Sequence, residues 1–555
     1  MRLHLCSLAM VFAALAAGPV AGFKGALNPF RSGSGLGRGS SSRSTRLSEQ
    51  PSTAKASERV LQPRHGVCGL RACGIAVSWE QSMPAVPCPQ GEGVALVVFT
   101  GFGDLRVHDH GGLAAAATAR ELHCVALLDP ALLASMPDRR IRNLMTSIHD
   151  VGNSLESYGV RLQVRVGDGR TEAAAAAAAV KATDVYVHSD PEAVAQDMVQ
   201  DIAVGVQALQ GERVRLHAWN AAVRSGQLQR DDFLSYKELC KRNLLSVNPE
   251  YRSRELLSTR GNSAGASFAM PIMEEVMAQV AQQRGKSQEE AFAERASSGN
   301  VGDRKEISET IARQLWEKYT ALGEQEFARD EITMGDTGEG SLEHVAARVY
   351  GAEGFALGES FLRTFSEALA LGCLSARSIL HECDRALLNP VWSQSPVPFA
   401  LTAEPQRGMH MAREALEARE WHRILASRDN HLDASRADIE EFEYRYWRWK
   451  GFLVRYSRNP GARSGACGRG AIDEQRPALV LVHGFGASSD QWNRLIGRLD
   501  KYDVWAIDLL GFGHSEKPTI SYTQFLWEDV VRDFVLECVG RPAVLAGNSI
   551  GGKPM

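Results

Sequence analysis

Gly547-Asn548-Ser549-Ile550-Gly551 sets a serine between two glycines, directly after the apolar run Ala543–Ala546. A serine on a tight strand-to-helix turn projects its hydroxyl clear of a sheet, where neighbouring chains come too close for a Cβ at the flanking positions. Such a hydroxyl attacks an ester carbonyl when a base takes its proton and N–H groups hold the oxyanion. Ser549 is therefore the candidate nucleophile. Upstream, His483-Gly484-Phe485-Gly486 closes the run Ala478–Val482. The backbone N–H groups of Phe485 and Ile550 are the candidate oxyanion hole. A third turn, Asp508-Leu509-Leu510-Gly511-Phe512-Gly513-His514-Ser515, closes the run Val504–Ile507.

The base is the missing part. In sites of this kind the acid and the histidine follow the serine along the chain. Only six residues follow Ser549, and none is acidic or histidine. His483 and His514 precede it and belong to motifs with other jobs. The expectation is a chain cut short inside its catalytic half, not a competent hydrolase as written, with a bare sheet edge where later strands would pair.

The elements that must carry these motifs are read from hydrophobic periodicity. A hairpin is predicted over Tyr446–Tyr456, turning at Lys450-Gly451, followed by strands at 478–482, 504–507 and 543–546. Before them, residues 225–440 carry helical patterns at Glu274–Gln283, Lys305–Leu322, Leu342–Tyr350, Gly358–Leu371 and Met409–Ala426. Further upstream, strands at Val94–Thr100, His123–Asp129, Arg161–Val166, Asp184–His188 and Arg213–Ala218 alternate with helices. That alternation implies a doubly wound α/β domain with a five-stranded parallel sheet. The alanine run Ala173–Ala179 needs only its helix propensity as explanation.

By its three motifs, the segment from about Phe442 resembles the α/β-hydrolase fold, and Tyr522–Gly552 looks most like its pheophytinase-type plastid branch. The resemblance implies a small apolar ester as substrate, such as a phytyl ester of a tetrapyrrole. Residues 93–220 resemble the Rossmann-like N-terminal domain of the cryptochrome/photolyase family. The resemblance rests on Asp104-Leu105-Arg106, Asp109, Leu113, Leu127-Leu128-Asp129-Pro130 and Arg139-Arg140. Gly101-Phe102-Gly103 stands where that family has basic residues. Asp104 and Arg106 read as a salt link holding the first loop. Gly358–Arg377 and Glu414–His422 resemble flavin-domain helices of the family, but the pocket pattern, a tryptophan chain and a basic face are missing. The helical region reads as a degenerate relic, with Trp392 and Trp421 as core residues and no cofactor expected. FAD belongs only to the alternative reading, a photolyase or cryptochrome acting in DNA repair or light sensing. A non-catalytic interaction protein is the third.

Composition agrees with a globular chain: 44% apolar, 23% charged, formal net charge −4, which favours no nucleic acid as partner. Ten scattered cysteines contain no CxxC pair, so no metal site is indicated. Arg2 and His4 precede an apolar run from Leu5 to about Ala17, too short to span a bilayer. From Phe23 to Ser48 no acidic residue occurs among Lys24, Arg31, Arg38, Arg43 and Arg46. A signal peptide followed by transit-peptide composition implies a plastid reached through the secretory route, with secretion as the alternative. The mature chain then has no transmembrane segment. The organisation expected is a signal peptide at 1–22, a transit peptide and linker at 23–90, and the photolyase-like domain at 91–224. The helical region follows at 225–440 and the partial hydrolase sheet at 441–555.

Overall fold

The computed structural model describes residues 4–5, 87–88, 91–209, 214–225, 233–242, 245–259, 270–283, 306–323, 359–387, 404–436, 443–459, 476–496, 498–499 and 501–552. The expected helix Leu342–Tyr350, Trp392 and nearly all of the presequence lie outside the described residues.

The first strand, β1, is His4–Leu5. Then come β2 (Val94–Phe99), β3 (Glu121–Leu128), β4 (Leu162–Val166), β5 (Asp184–His188) and β6 (Arg215–Trp219). These five make a parallel sheet in the order β4-β3-β2-β5-β6. Every residue of β2 is buried, as befits a central parallel strand covered on both faces. The sheet matches the expected fold, with strand ends displaced by one or two residues. The alanine-rich helix Gly169–Val180 packs against Ala193–Gln207 so closely that a Cβ on Gly205 would lie 2.1 Å from Arg170 O. Small side chains on the facing turns are what permit that approach.

The loop after β2 corrects one expectation. Asp104 and Arg106 do not pair with each other. The Asp104 carboxylate accepts the N–H groups of Thr100 (2.7 Å) and Gly101 (2.9 Å). Arg106 donates to three carbonyls, those of Gly103, Gly372 and Asp109. The buried ion pair is Asp109 with Arg377, 2.7 Å apart, joining this loop to the helix Ala376–Leu387. Glycine occupies position 103 for a steric reason. Its φ is +85°, and a Cβ there would meet the His188 ring at 2.7 Å.

Short strands β7 (Arg224–Ser225) and β8 (Ser246–Val247) lead into the helical region. Its described helices include Met273–Gln283, Glu309–Leu322, Glu359–Leu371 and the 33-residue Glu404–Arg436. Trp421 is buried with Tyr236, Cys240 and Leu245, a packing role as expected.

The second sheet runs β1-β13-β11-β12-β10-β9. Its members are the hairpin β9 (Glu443–Trp449) and β10 (Phe452–Arg458), then β11 (Ala478–Val482), β12 (Asp503–Ile507) and β13 (Ala543–Gly547). The hairpin turns at Lys450 and Gly451, both at positive φ (+47° and +89°), the geometry of a two-residue turn between twisted strands. The expectation of a bare edge on β13 is corrected at two positions. His4 and Leu5 run parallel beside Val544 and Leu545, because unpaired edge N–H and C=O groups take any strand that reaches them.

The hairpin also docks the hydrolase-like sheet on the rest of the molecule. Arg448 pairs with Asp190 (2.8 Å) and Arg445 with Asp197 (2.6 Å). Trp447 and Trp449 donate their indole N–H groups to Glu537 (2.9 Å) and Asp533 (2.8 Å). Glu537 lies on a π-helical turn, Val535–Val539. Burial, reinforced by the Asp533 charge, pushes its carboxyl up to about 8. A folded-state value above the unfolded one means that stability is lost as pH rises from the ordinary carboxylate range towards 8. Glu537→Gln, which keeps an acceptor for Trp447, is expected to leave the urea midpoint unchanged near pH 4 and raise it at pH 9. Parallel pH profiles for the two proteins would refute this.

Candidate functional site

Strands β11, β12 and β13 are adjacent and parallel, and their ends are in register. Val482 lies opposite both Ile507 and Gly547. The three motifs therefore leave the sheet side by side, at the C-terminal ends of its strands, where α/β sheets hold their ligands.

Ser549 is at φ +55°, a left-handed conformation that a serine adopts only under constraint. The constraint is visible in its neighbours. A Cβ on Gly547 would lie 1.6 Å from Gly551 O, and one on Gly551 would lie 2.5 Å from Val482 O. Asn548 N–H donates to Val482 O (3.0 Å) and Gly551 N–H to Asn548 O (2.9 Å), which closes the turn. A Cβ on Gly484 would come 3.4 Å from the Ser549 Cβ, so the His483-Gly484-Phe485 turn lies against the serine. The structure thus brings Ser549, Ile550 and the Phe485 turn together.

His483 is fully buried and both ring nitrogens are engaged. Its Nδ1–H donates to Gly484 O (2.7 Å) and its Nε2 accepts the N–H of Leu509 (2.9 Å). That arrangement fixes one neutral tautomer, and burial lowers the tendency to protonate further. His483 ties the first turn to the third; it has no lone pair left for Ser549.

The third turn is organised by Asp508, also fully buried. Its carboxylate accepts the N–H groups of Ser489 (2.6 Å) and His514 (2.8 Å) and the Nε–H of Arg455 (2.8 Å). Gly513 has to be glycine, since a Cβ would sit 2.1 Å from that carboxylate. His514 Nδ1 faces Asp429 at 2.8 Å, and Asp429 also accepts the Tyr446 hydroxyl at 2.5 Å. Two participants were not foreseen from sequence. Arg455 carries a signal of a kind, an arginine inside an aromatic-rich strand, where it also covers the Tyr444 ring at 4.5 Å. Asp429, towards the C-terminal end of a long polar helix, carries none.

Around the mouth, the Phe485 side chain is 73% exposed and meets Phe512 edge-on at 5.3 Å. Phe512 in turn contacts Trp527 at 5.6 Å. Among the described residues no group of histidines, cysteines and carboxylates is placed to hold a metal ion. No described helix is long and apolar enough to cross a membrane.

The family model for the alpha/beta hydrolase family matches residues 479–555, and that for DNA photolyase matches residues 97–239. The chain is 32% identical over 108 residues to the chloroplastic pheophytinase of Arabidopsis thaliana, covering 14% of this chain and 22% of that protein. It is 41% identical over 80 residues to the uncharacterized hydrolase YugF of Bacillus subtilis, covering 14% and 29%. The chain spans about a quarter of the length of the curated relatives it matches. A cryptochrome of Synechocystis aligns over 60% of this chain and 61% of its own, at 18% identity and a TM-score of 0.40. The photolyase match raises the question of flavin. The described interior between helices Glu309–Leu322 and Glu359–Leu371 is filled by Trp316, Tyr319, Phe361 and Phe365, with neighbouring ring centroids 5.1–6.1 Å apart. These rings are in mutual contact, and no step below is derived through a flavin. The chain joins a segment of the DNA photolyase family, residues 97–239, to a segment of the alpha/beta hydrolase family, residues 479–555.

Proposed function

We propose that the C-terminal sheet is the nucleophile-bearing half of a serine esterase. The observation that carries this reading is Ser549, held at positive φ by glycine contacts on both sides and set against the Phe485 turn. Ser549 Oγ attacks the carbonyl carbon, and the N–H groups of Phe485 and Ile550 receive the negative charge that develops on the carbonyl oxygen. Among the described residues neither histidine of the neighbouring turns is hydrogen-bonded to Ser549: His483 is spent on Gly484 and Leu509, and His514 meets Asp429 through Nδ1.

The exposed Phe485 and the aromatic line Phe512–Trp527 favour an apolar ester. The likeness to pheophytinase points to a phytyl ester of a tetrapyrrole. The test is hydrolysis by the chain joined to a segment that supplies histidine and carboxylate. Long-chain alcohol esters should be preferred over methyl esters of the same acid, and loss of that preference would refute the apolar substrate. The photolyase-type half acts in this reading as the platform on which the hairpin is docked.

The site of action proposed is the plastid, on the acid-free basic stretch behind an apolar core. A fluorescent protein placed behind residues 1–60 should enter the plastid, and Phe23→Ala should divert it to the secretory route. Export of the wild-type fusion would sink this.

A further inference from the structure

The five-stranded sheet reverses its order of winding between β2 and β5, since β3 and β4 lie to one side and β5 and β6 to the other. In open α/β sheets a ligand crevice forms outside the strand ends at such a reversal. Here Gly103 follows β2, and His188, Ser189 and Asp190 end or follow β5. All four line one cavity of about 70 Å³. The remaining walls come from the other two parts of the chain. The helix Glu404–Arg436 gives Arg419, Glu420 and Arg423, and the hairpin gives Arg448 and Leu453.

The charge of this lining is unusual for a buried place. Four arginines, Arg106, Arg419, Arg423 and Arg448, line it together with two acidic residues, Asp190 and Glu420. Both carboxylates are already committed, Asp190 to Arg448 and Glu420 to Arg423. Behind the wall, Asp109 serves Arg377, Glu192 serves Arg140, and Glu516 meets Arg419 at 3.3 Å. Arg106, 2% exposed, is left with carbonyl oxygens alone, and its Nε is buried with no partner. Arg448 Nε is also buried without a hydrogen bond, with Glu192 Oε2 3.6 Å away. Buried polar groups are ordinarily hydrogen-bonded, so an empty volume lined by Arg106, whose Nε–H lacks an acceptor, and by three further arginines is suited to an anion.

Size narrows the choice. A water needs roughly 10–15 Å³ of such space, so the cavity has room for several waters or one tetrahedral oxyanion, not for a nucleotide. Guanidinium forks suit phosphate oxygens, to which they donate two parallel hydrogen bonds.

We propose that this junction cavity binds a small oxyanion, either inorganic phosphate or the phosphoryl group of a small phosphomonoester, through Arg106, Arg419, Arg423 and Arg448. Because the walls come from the α/β domain, the helical region and the hydrolase hairpin, the anion clamps the three together. Occupancy therefore stabilises the docked arrangement of the sheet that carries Ser549.

The experiment uses the full 555-residue chain. Inorganic phosphate and glycerol 3-phosphate are titrated separately at constant ionic strength against chloride, read by calorimetry and by thermal unfolding. A saturable heat and a rise in unfolding temperature are expected with at least one of them. The tighter of the two tells a free ion from a phosphoryl group. Arg423→Gln should weaken that binding about ten- to a hundredfold, the effect of losing one charged hydrogen-bond donor. Ala221→Leu, which fills the cavity and keeps every charge, should abolish it while the protein still unfolds cooperatively without phosphate. No response beyond that to chloride, or undiminished binding in the filled variant, overturns the proposal.

Discussion

Asp109→Asn should be among the most damaging single changes in the N-terminal half, lowering stability by about 3–5 kcal/mol, the usual cost of leaving a buried charge without its partner. Asp109 is fully buried and Arg377 is 3% exposed. One carboxylate oxygen accepts Arg377 Nη2–H (2.7 Å) and the Tyr251 N–H (2.6 Å). The other accepts Arg377 Nε–H (3.1 Å) and the Ser375 hydroxyl. Asparagine is the informative replacement, because Asp109 sits at φ +52° and asparagine tolerates that region as aspartate does. The loss then reports the charge and not the backbone. The double variant Asp109→Asn/Arg377→Met removes both ions and should recover a large part of it. Urea unfolding followed by tryptophan fluorescence gives the comparison. If the double variant is as unstable as the single one, the hydrogen bonds to Tyr251 and Ser375 matter more than the ion pair.

That pair also marks the limit of what could be read beforehand. Asp104, Arg106 and Asp109 were recognisable as a group because they lie within six residues, but which one carries the ion pair depends on Arg377, 268 positions away in sequence. The same division holds throughout. The central strand β2 was legible because a buried parallel strand is a short continuous apolar run, and the outer strands β4 and β6 because apolar residues alternate with polar ones. The hairpin was legible because Lys450-Gly451 interrupts an alternation of aromatic and polar residues. The long helix was foreseen only over Met409–Ala426, whereas it runs from Glu404 to Arg436. Its ends are polar, and polar residues carry no periodicity to extend a prediction. At the candidate site the serine, its glycines and the two flanking turns were legible as motifs. Their mutual contacts follow from strand order, since β13 pairs with β11, its neighbour in the sheet but not in sequence. Asp429 and Arg455 stayed hidden because each earns its place only through a partner on another element. The junction cavity was hidden for the same reason, its walls being drawn from three distant segments.

The 555-residue chain is expected to hydrolyse short acyl esters, such as p-nitrophenyl butyrate, no faster than background. Ser549 has the backbone geometry of a nucleophile, yet geometry does not deprotonate a hydroxyl at neutral pH. Of the two histidines in the neighbouring turns, His483 already donates from Nδ1 and accepts at Nε2. His514 meets Asp429 and Arg455 Nη1 (3.2 Å) through Nδ1, and among the described residues no hydrogen bond joins its ring to Ser549. A chain joined to a segment that supplies a histidine and a carboxylate should gain turnover. Ser549→Ala in that longer chain should then remove about a thousandfold or more, as when the nucleophile of an assembled triad is lost. His483→Gln serves as the contrasting variant. It should harm folding of the turns through the lost Leu509 contact, and soluble protein that retains structure should keep most of the gained activity if His483 is not the base. Ser549-dependent turnover in the unextended chain would falsify this assignment. The Asp429–His514 pair would then have to swing towards Ser549 and take its proton, and Asp429→Asn should abolish that activity together with His514→Gln.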